Sequence, residues 1–261
     1  GVMATRTLDS KRDRIISILI NPLMSCSARL PVYIVFAGAL FPDNGSLVVF
    51  SLYLLGIMLA VIMASIFNKF FFKGERSHFV MELPPYRVPT IKSVFIHMWE
   101  KVSAFLKKAG TIIFSVVVLI WVLANLPVGV EYASAQSFIG RFGQLMAPIF
   151  EPLGFGNWQA ASSLIFGILA KEVVVGTLGV VYAVGEGGLR TVLSTQFSPL
   201  AAYSFMVMVL IYTPCIATLG TIKSETSSWK WPIISAVYLF ILAWFVSFII
   251  YQGGLLLGIG V

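Results

Sequence analysis

The sequence predicts an all-α fold, a polytopic transmembrane helical bundle with two broken-helix repeats and an interfacial amphipathic helix. Three features carry that prediction. Of 261 residues, 58% are hydrophobic and only 11% charged, which leaves too little polar surface for a water-soluble globule. Apolar runs of about 20 residues recur, the length a helix needs to cross the hydrocarbon core. These runs are continuous rather than alternating, which excludes a β-barrel. The net charge of +7 does not signal nucleic acid: basic residues flank apolar runs, as the positive-inside rule requires, and no groove-binding motif occurs. Two cysteines and two histidines, remote from one another, make neither a disulfide framework nor a structural zinc site.

Residues 5 to 14 carry four basic residues and form the first cytoplasmic flank, ahead of the apolar run Ile15 to Ile20. That run is interrupted by Asn21-Pro-Leu-Met-Ser-Cys-Ser-Ala-Arg-Leu-Pro-Val-Tyr33. Its two prolines remove backbone donors, and the polar residues between them can satisfy the carbonyls thereby freed, so a broken or re-entrant helix is expected. The chain continues through Ile34 to Phe41, turns at Pro42-Asp43-Asn44-Gly45, and returns as a long helix from about Ser46 to Phe72. From Asn68 to Lys108 eight basic residues stand against three acidic ones, the clearest cytoplasmic marker in the chain. Pro84 to Pro89 reads as an extended linker there. Ile91 to Lys108 has apolar residues at helical spacing and is expected along the membrane surface. His78 and His97 are isolated and read as surface residues. A span from Ala109 to Leu126 follows, ended by Pro127. Residues 127 to 157 fit the opposite side, with an interfacial helix from Ser137 to Phe150 stopped by Glu151-Pro152-Leu153-Gly154.

The central stretch, Leu164 to Tyr182, has the length of a span but holds Lys171 and Glu172 side by side. Each charge costs at least ~2.5 to 3.5 kcal/mol on insertion scales, so it marks either a substrate route or a buried ion pair with partners on other helices. Trp158 is expected to anchor this stretch at the interface, and Gly185 to Gly188 to make the next exposed turn. The span from Pro199 to about Leu219 ends in Tyr212-Thr-Pro-Cys-Ile-Ala-Thr-Leu-Gly220, and a last span runs from Trp231 to Leu257. Cys26-Ser-Ala-Arg-Leu30 and Cys215-Ile-Ala-Thr-Leu219 share Cys-x-Ala-x-Leu, each with a proline shortly upstream. Two broken helices from two repeats facing one central site is the pattern of many transporters.

Together, Pro22 to Tyr33, Lys171-Glu-Val-Val-Val-Gly-Thr-Leu178, Tyr212 to Gly220, Glu225-Thr226 and Ser228-Trp-Lys-Trp231 resemble the membrane-domain signatures of the FeoB family of ferrous-iron transporters. The likeness extends to Met3-Ala-Thr-Arg-Thr7. It covers nearly the whole chain, with its motifs in the family's order. The resemblance implies two Gate regions, the first within residues 1–67 (partial) and the second within 109–261, separated by a cytoplasmic linker and amphipathic helix at 68–108. It implies Fe2+ as transported substrate with no other cofactor, a multi-pass protein of the cell inner (plasma) membrane, and a transporter rather than an enzyme. Expected partners are the lipid bilayer, ferrous iron, a cytoplasmic GTPase domain in cis or as a separate chain, small accessory Feo proteins and a homo-oligomer, with no nucleic acid. No Gly-x4-Gly-Lys-Ser/Thr sequence occurs here, so this stretch is not expected to bind GTP through a P-loop, and it reads as a piece of a larger polypeptide.

Ferrous iron, borderline in softness, accepts thiolate, thioether and carboxylate ligands. Cys26, Cys215 and Glu172 are therefore candidate metal ligands, with Met24, Ser25 and Ser27 as additional donors. Lys171, Pro22, Pro214, Thr213 and Glu225 are expected to shape the pathway. An organic-solute carrier of the nucleoside-transporter type is the alternative, because Gate units of this organisation occur there; Asn21, Trp158 and Gln159 would then contact solute.

Overall fold

A computed structural model describes residues 1–8, 10–70, 90–127 and 134–258. Eleven α-helices occur among the described residues: α1 (Lys11–Ile20), α2 (Leu30–Leu40), α3 (Gly45–Phe70), α4 (Ile91–Asn125), α5 (Phe138–Phe150), α6 (Trp158–Gly167), α7 (Val173–Val181), α8 (Glu186–Gln196), α9 (Pro199–Ile211), α10 (Ile216–Thr226) and α11 (Lys230–Leu256). Among the described residues, four helical stretches are long and apolar enough to cross a membrane: Lys11–Leu40, Gly45–Lys69, Pro199–Thr226 and Lys230–Leu256. The first and third contain the two expected breaks. Each broken pair, α1–α2 and α9–α10, is followed by one long helix, α3 or α11, so the same order of elements occurs twice.

α9 is the centre of the core. From Leu200 to Ile211 every residue except Tyr203 is buried. Its apolar residues are not confined to one face, as expected of a helix surrounded by protein. Ser198 caps its start by accepting from the Ala201 N–H, and Pro199 occupies the first turn, where its missing donor costs nothing. Phe205 stacks on Phe36 of α2 at 4.8 Å between centroids and meets Phe155 edge-on at 5.2 Å. Across α11, the Ser204 hydroxyl donates to the Ser247 carbonyl and the Ser247 hydroxyl to the Ser204 carbonyl, each at 3.2 Å. This reciprocal pairing of small polar residues lets two helices approach closely in an apolar medium.

The outer faces are inverted relative to a soluble protein. On α11, Ile233, Val237, Ile241, Phe245 and Ile249 recur every fourth residue and are all exposed, and α3 presents Leu47, Phe50, Leu54, Met58 and Val61 in the same way. Continuous apolar stripes of this size would aggregate in water, whereas a bilayer covers them without cost.

Two expectations need correction. The surface helix and the span after it form one helix, α4, of 35 residues. Between Lys108 and Ala109 there is no proline, and Gly110 alone costs only about 1 kcal/mol in a helix interior. The turn expected at Gly185 to Gly188 is instead the start of α8, with Gly185 at the N-cap. Burial of Leu189 and Leu193, one helical turn apart, overrides the poor helix propensity of the glycines. By contrast, α5 ends as expected: Glu151–Leu153 is a 3-10 turn and Gly154 adopts the left-handed conformation (φ 87°). The linker Pro84 to Pro89 and His78 lie outside the described residues, as do the side chains of His97, Lys101, Lys107 and Lys108.

Candidate functional site

The first break begins where α1 ends at Ile20. Asn21–Leu23 makes a 3-10 turn, Met24 and Cys26 are extended, and Ser27–Arg29 makes a second 3-10 turn leading into α2. Pro22 cannot donate to the preceding turn and blocks continuation of α1, whereas Pro31 sits in the first turn of α2, where it is tolerated. The freed carbonyls find a partner within the same segment. Arg29, only 3% exposed, donates from Nη2 to the Pro22 carbonyl at 2.8 Å and from Nη1 to the Met24 carbonyl at 3.1 Å.

In the second break α9 stops at Ile211, because Pro214 disfavours helical geometry at Thr213, and α10 restarts at Ile216. The carbonyls released here belong to Tyr212 and Thr213, and their partner comes from elsewhere in the chain. Lys171, also 3% exposed, donates from Nζ to the Thr213 carbonyl at 2.9 Å and approaches the Tyr212 carbonyl at 3.4 Å. The ammonium also lies over the Tyr212 ring, 3.1 Å from its centroid, a cation–π contact strengthened by burial.

Lys171 reaches this position because the central stretch is not one helix. α6 ends at Gly167, residues 168–172 form turns, and α7 starts at Val173. Two contacts tie that turn to the second break. The Ile216 N–H donates to the Ile168 carbonyl at 3.1 Å, and Gly167 packs so closely under Tyr212 that a β-carbon there would stand 2.2 Å from Oη. Only glycine permits this approach.

The expected site residues divide into two groups. Cys26 and Cys215 occupy similar places, each an extended residue after a break: Cys26 precedes the 3-10 turn Ser27–Arg29 that leads into α2, and Cys215 is the N-cap of α10. Both thiols and Arg29 lie within electrostatic reach of Lys171. Cys26 is exposed and Cys215 partly buried, with its Sγ 3.2 Å from Thr218 Oγ1. Glu172 turns the other way. It is exposed and, among the described residues, forms no ion pair with Lys171, so the side-by-side charges are not a buried salt bridge. It lines a cleft of about 730 Å³ with Pro31, Val175, Gly176, Gly179 and Val180. Among the described residues no three His, Cys, Asp or Glu side chains converge into a preformed metal cluster.

Met24 and Ser27 are exposed, and Met24 serves the break through its backbone carbonyl. Among the described residues, Arg29 Nε and Tyr212 Oη are buried without a hydrogen-bond partner, while the buried hydroxyls of Ser25 and Tyr33 lie within reach of each other. Arg29 belongs to the first break and Tyr212 to the second, and buried polar atoms left unpaired are rare in native interiors. Thr213 donates from Oγ1 to the Ala236 carbonyl at 3.3 Å and so ties the second break to α11. Glu225 lies outside this cluster. Its carboxylate, almost fully buried, takes Arg6 Nη2 at 2.7 Å, which binds the 3-10 helix Val2–Thr7 to α10. Hydrogen bonding to Glu225, reinforced by its charge, pushes the Arg6 guanidinium above its ordinary range. Arg29 and Tyr212 were not anticipated as functional positions. Arginine between two prolines inside an apolar run is itself a signal, since an intramembrane cation needs a partner; Tyr212 carries no such signal.

Comparison with known proteins shows the family to which the chain belongs. Residues 49–101 match the family model described as "Ferrous iron transport protein B C terminus", and residues 106–229 match Gate, described as "Nucleoside recognition". The chain is 45% identical over 97% of its length to the Fe(2+) transporter FeoB of Staphylococcus aureus (strain MSSA476). It is 48% identical over 96% to the Methanocaldococcus jannaschii protein of the same name. It is 44% identical over 98% to a Fe(2+) transport protein A/Fe(2+) transporter FeoB fusion protein of Porphyromonas gingivalis. The chain spans 38%, 38% and 36% of the lengths of these relatives. No solved structure matches it. Relatives named as iron transporters do not favour the organic-solute alternative. Two proline breaks, each holding an extended cysteine and each capped by a buried basic side chain, thus sit in a chain that belongs to the FeoB family and forms part of its membrane region.

Proposed function

We propose that this chain is the permease region for ferrous iron uptake, with Cys26 and Cys215 as successive or shared ligands. The observation that carries the reading is the similar placing of the two thiols, each on extended backbone between a proline break and the helix that follows, and both within electrostatic reach of Lys171. Thiolate sulfur suits ferrous iron and would disfavour magnesium, which prefers oxygen. The buried hydroxyls of Ser25, Tyr33 and Tyr212 give the surroundings a polar character that an apolar core would lack. Glu172, in the cleft beside Pro31, supplies a carboxylate for a cation approaching or leaving the first break, while Met24 and Ser27, exposed at the same break, add donors.

Location in the cell inner membrane, with the loop from Asn68 to Lys108 cytoplasmic, follows from its excess of basic residues. A GTP-binding domain and small accessory Feo proteins are the partners this reading requires, and the fusion relative supports the latter by its name. A homo-oligomer and the division into Gate regions at 1–67 and 109–261 belong to the same proposal.

The test is anaerobic uptake of radioactive iron by cells expressing the full chain, with manganese, zinc and uridine as competitors. Cys26→Ser and Cys215→Ser each lower ferrous uptake strongly at unchanged membrane abundance, and uridine does not compete. Parent-level uptake in both variants removes the thiolate ligands from the proposal.

A further inference from the structure

We propose that the carbonyl oxygens of Tyr212 and Thr213 form a cation site which the Lys171 ammonium occupies in this state, so that Lys171 is a tethered plug which a permeating cation must displace. The proposal rests on the permease reading above. Carbonyls released by a broken helix are ready-made cation ligands, and transporters use them so. Here the second break points two such oxygens at one cation, 2.9 and 3.4 Å from Nζ, beneath the face of an aromatic ring. The ring and the two oxygens make a cage selective for charge, not for lysine.

Arg29 shows why the two caps differ in kind. Its guanidinium is a planar fork engaging two carbonyls of its own segment, and moving it would undo the 3-10 turns on which it stands. Lysine is a point charge on a flexible four-carbon stem, so its ammonium can leave while the backbone stays. The backbone is held independently, by the Ile216–Ile168 hydrogen bond and by Tyr212 packed on Gly167. The carbonyls can therefore keep their geometry when the ammonium is absent. With the Lys171 amine seated on both carbonyls, a weakly binding monovalent ion finds no free oxygen ligands there, so the pathway stays closed to it until an ion that binds more tightly supplies the displacement.

The experiment compares the parent with Lys171→Gln and Lys171→Met, each as the full chain reconstituted in proteoliposomes, for potassium leak and for anaerobic ferrous uptake. Glutamine keeps a neutral donor for the carbonyls, and methionine keeps the aliphatic length. Removing the plug raises potassium leak by roughly tenfold or more, equivalent to ~1.4 kcal/mol on a barrier. A folded Lys171→Gln protein as tight to potassium as the parent overturns the proposal, even where the parent carries iron. A leaking variant beside a parent that carries no iron keeps the plug and defeats the iron reading instead. Failure of both variants to fold shows that Lys171 is a strut and also overturns the proposal.

Discussion

In the first break the carbonyls of Pro22 and Met24 are held by Arg29, seven and five residues downstream in the same segment, whereas in the second those of Tyr212 and Thr213 are held by Lys171, 41 and 42 residues upstream. Both solutions satisfy the requirement that no backbone polar group face hydrocarbon unpaired. They differ in what must already be folded. The first break carries its own cap and can close as soon as Ser27–Arg29 turns back on Pro22. The second is complete only when the turn between α6 and α7 has docked against it. A local cap builds a rigid corner, and a distant cap couples one broken helix to the position of another element. Coupling of that kind is what the plug proposed at Lys171 needs, and the self-capped first break would supply the fixed side against which it works.

The largest effect expected from breaking this contrast is at Arg29. Arg29→Leu strands the buried Pro22 carbonyl and the partly buried Met24 carbonyl and should cost about 2 to 5 kcal/mol, read as a lower melting temperature of the protein in detergent. Arg29→Lys keeps the charge without the fork and should fall between variant and parent. Melting of Arg29→Leu at the parent temperature would show that the first break does not depend on its internal cap.

Next in size is Gly167→Ala. Its β-carbon would stand 2.2 Å from Tyr212 Oη and 2.4 Å from Val174 Cγ2, an overpacking worth about 1 to 3 kcal/mol. The strain falls on the second break alone, so alkylation of Cys215 should speed up while Cys26 reacts as before. Equal changes at both thiols would mean that the breaks move as one body.

The smallest stability effects belong to the cleft. Glu172→Gln alters an exposed carboxylate that makes no ion pair with Lys171, so stability should stay within about 0.5 kcal/mol of the parent while ferrous uptake falls. A large stability loss would revive a structural role for this carboxylate. Gly176→Ala meets nothing within 4 Å and replaces an exposed helical glycine, so it should raise stability by about 0.5 to 1 kcal/mol. Because Gly176 lines the cleft with Glu172, reduced uptake in this more stable protein would show that the cleft lies on the route.

Much of the architecture was legible because it depends on local chemistry. Pro22 and Pro214 mark both breaks, since a missing donor and a steric clash act within one turn of the chain. The cap of α5 at Ser137 and its stop at Gly154 are local in the same sense. What could not be read involves partners far apart in sequence. The Arg6–Glu225 pair joins residues 219 positions apart, and the start of α8 among glycines depends on where Leu189 and Leu193 are buried.

Lys171 and Glu172 show most clearly where the division falls. Composition and spacing alone determined that this is a membrane-spanning helical protein with two broken helices, because apolar length and proline placement need no partner to act. They also marked Lys171 as a charge requiring compensation. Only the tertiary structure decided that the compensation comes from the carbonyls of Tyr212 and Thr213 and not from Glu172. The reason is physical: a backbone carbonyl is present at every residue and has no signature in the sequence. Which carbonyls are free to receive a buried cation is known only once the helices that use up the others have packed.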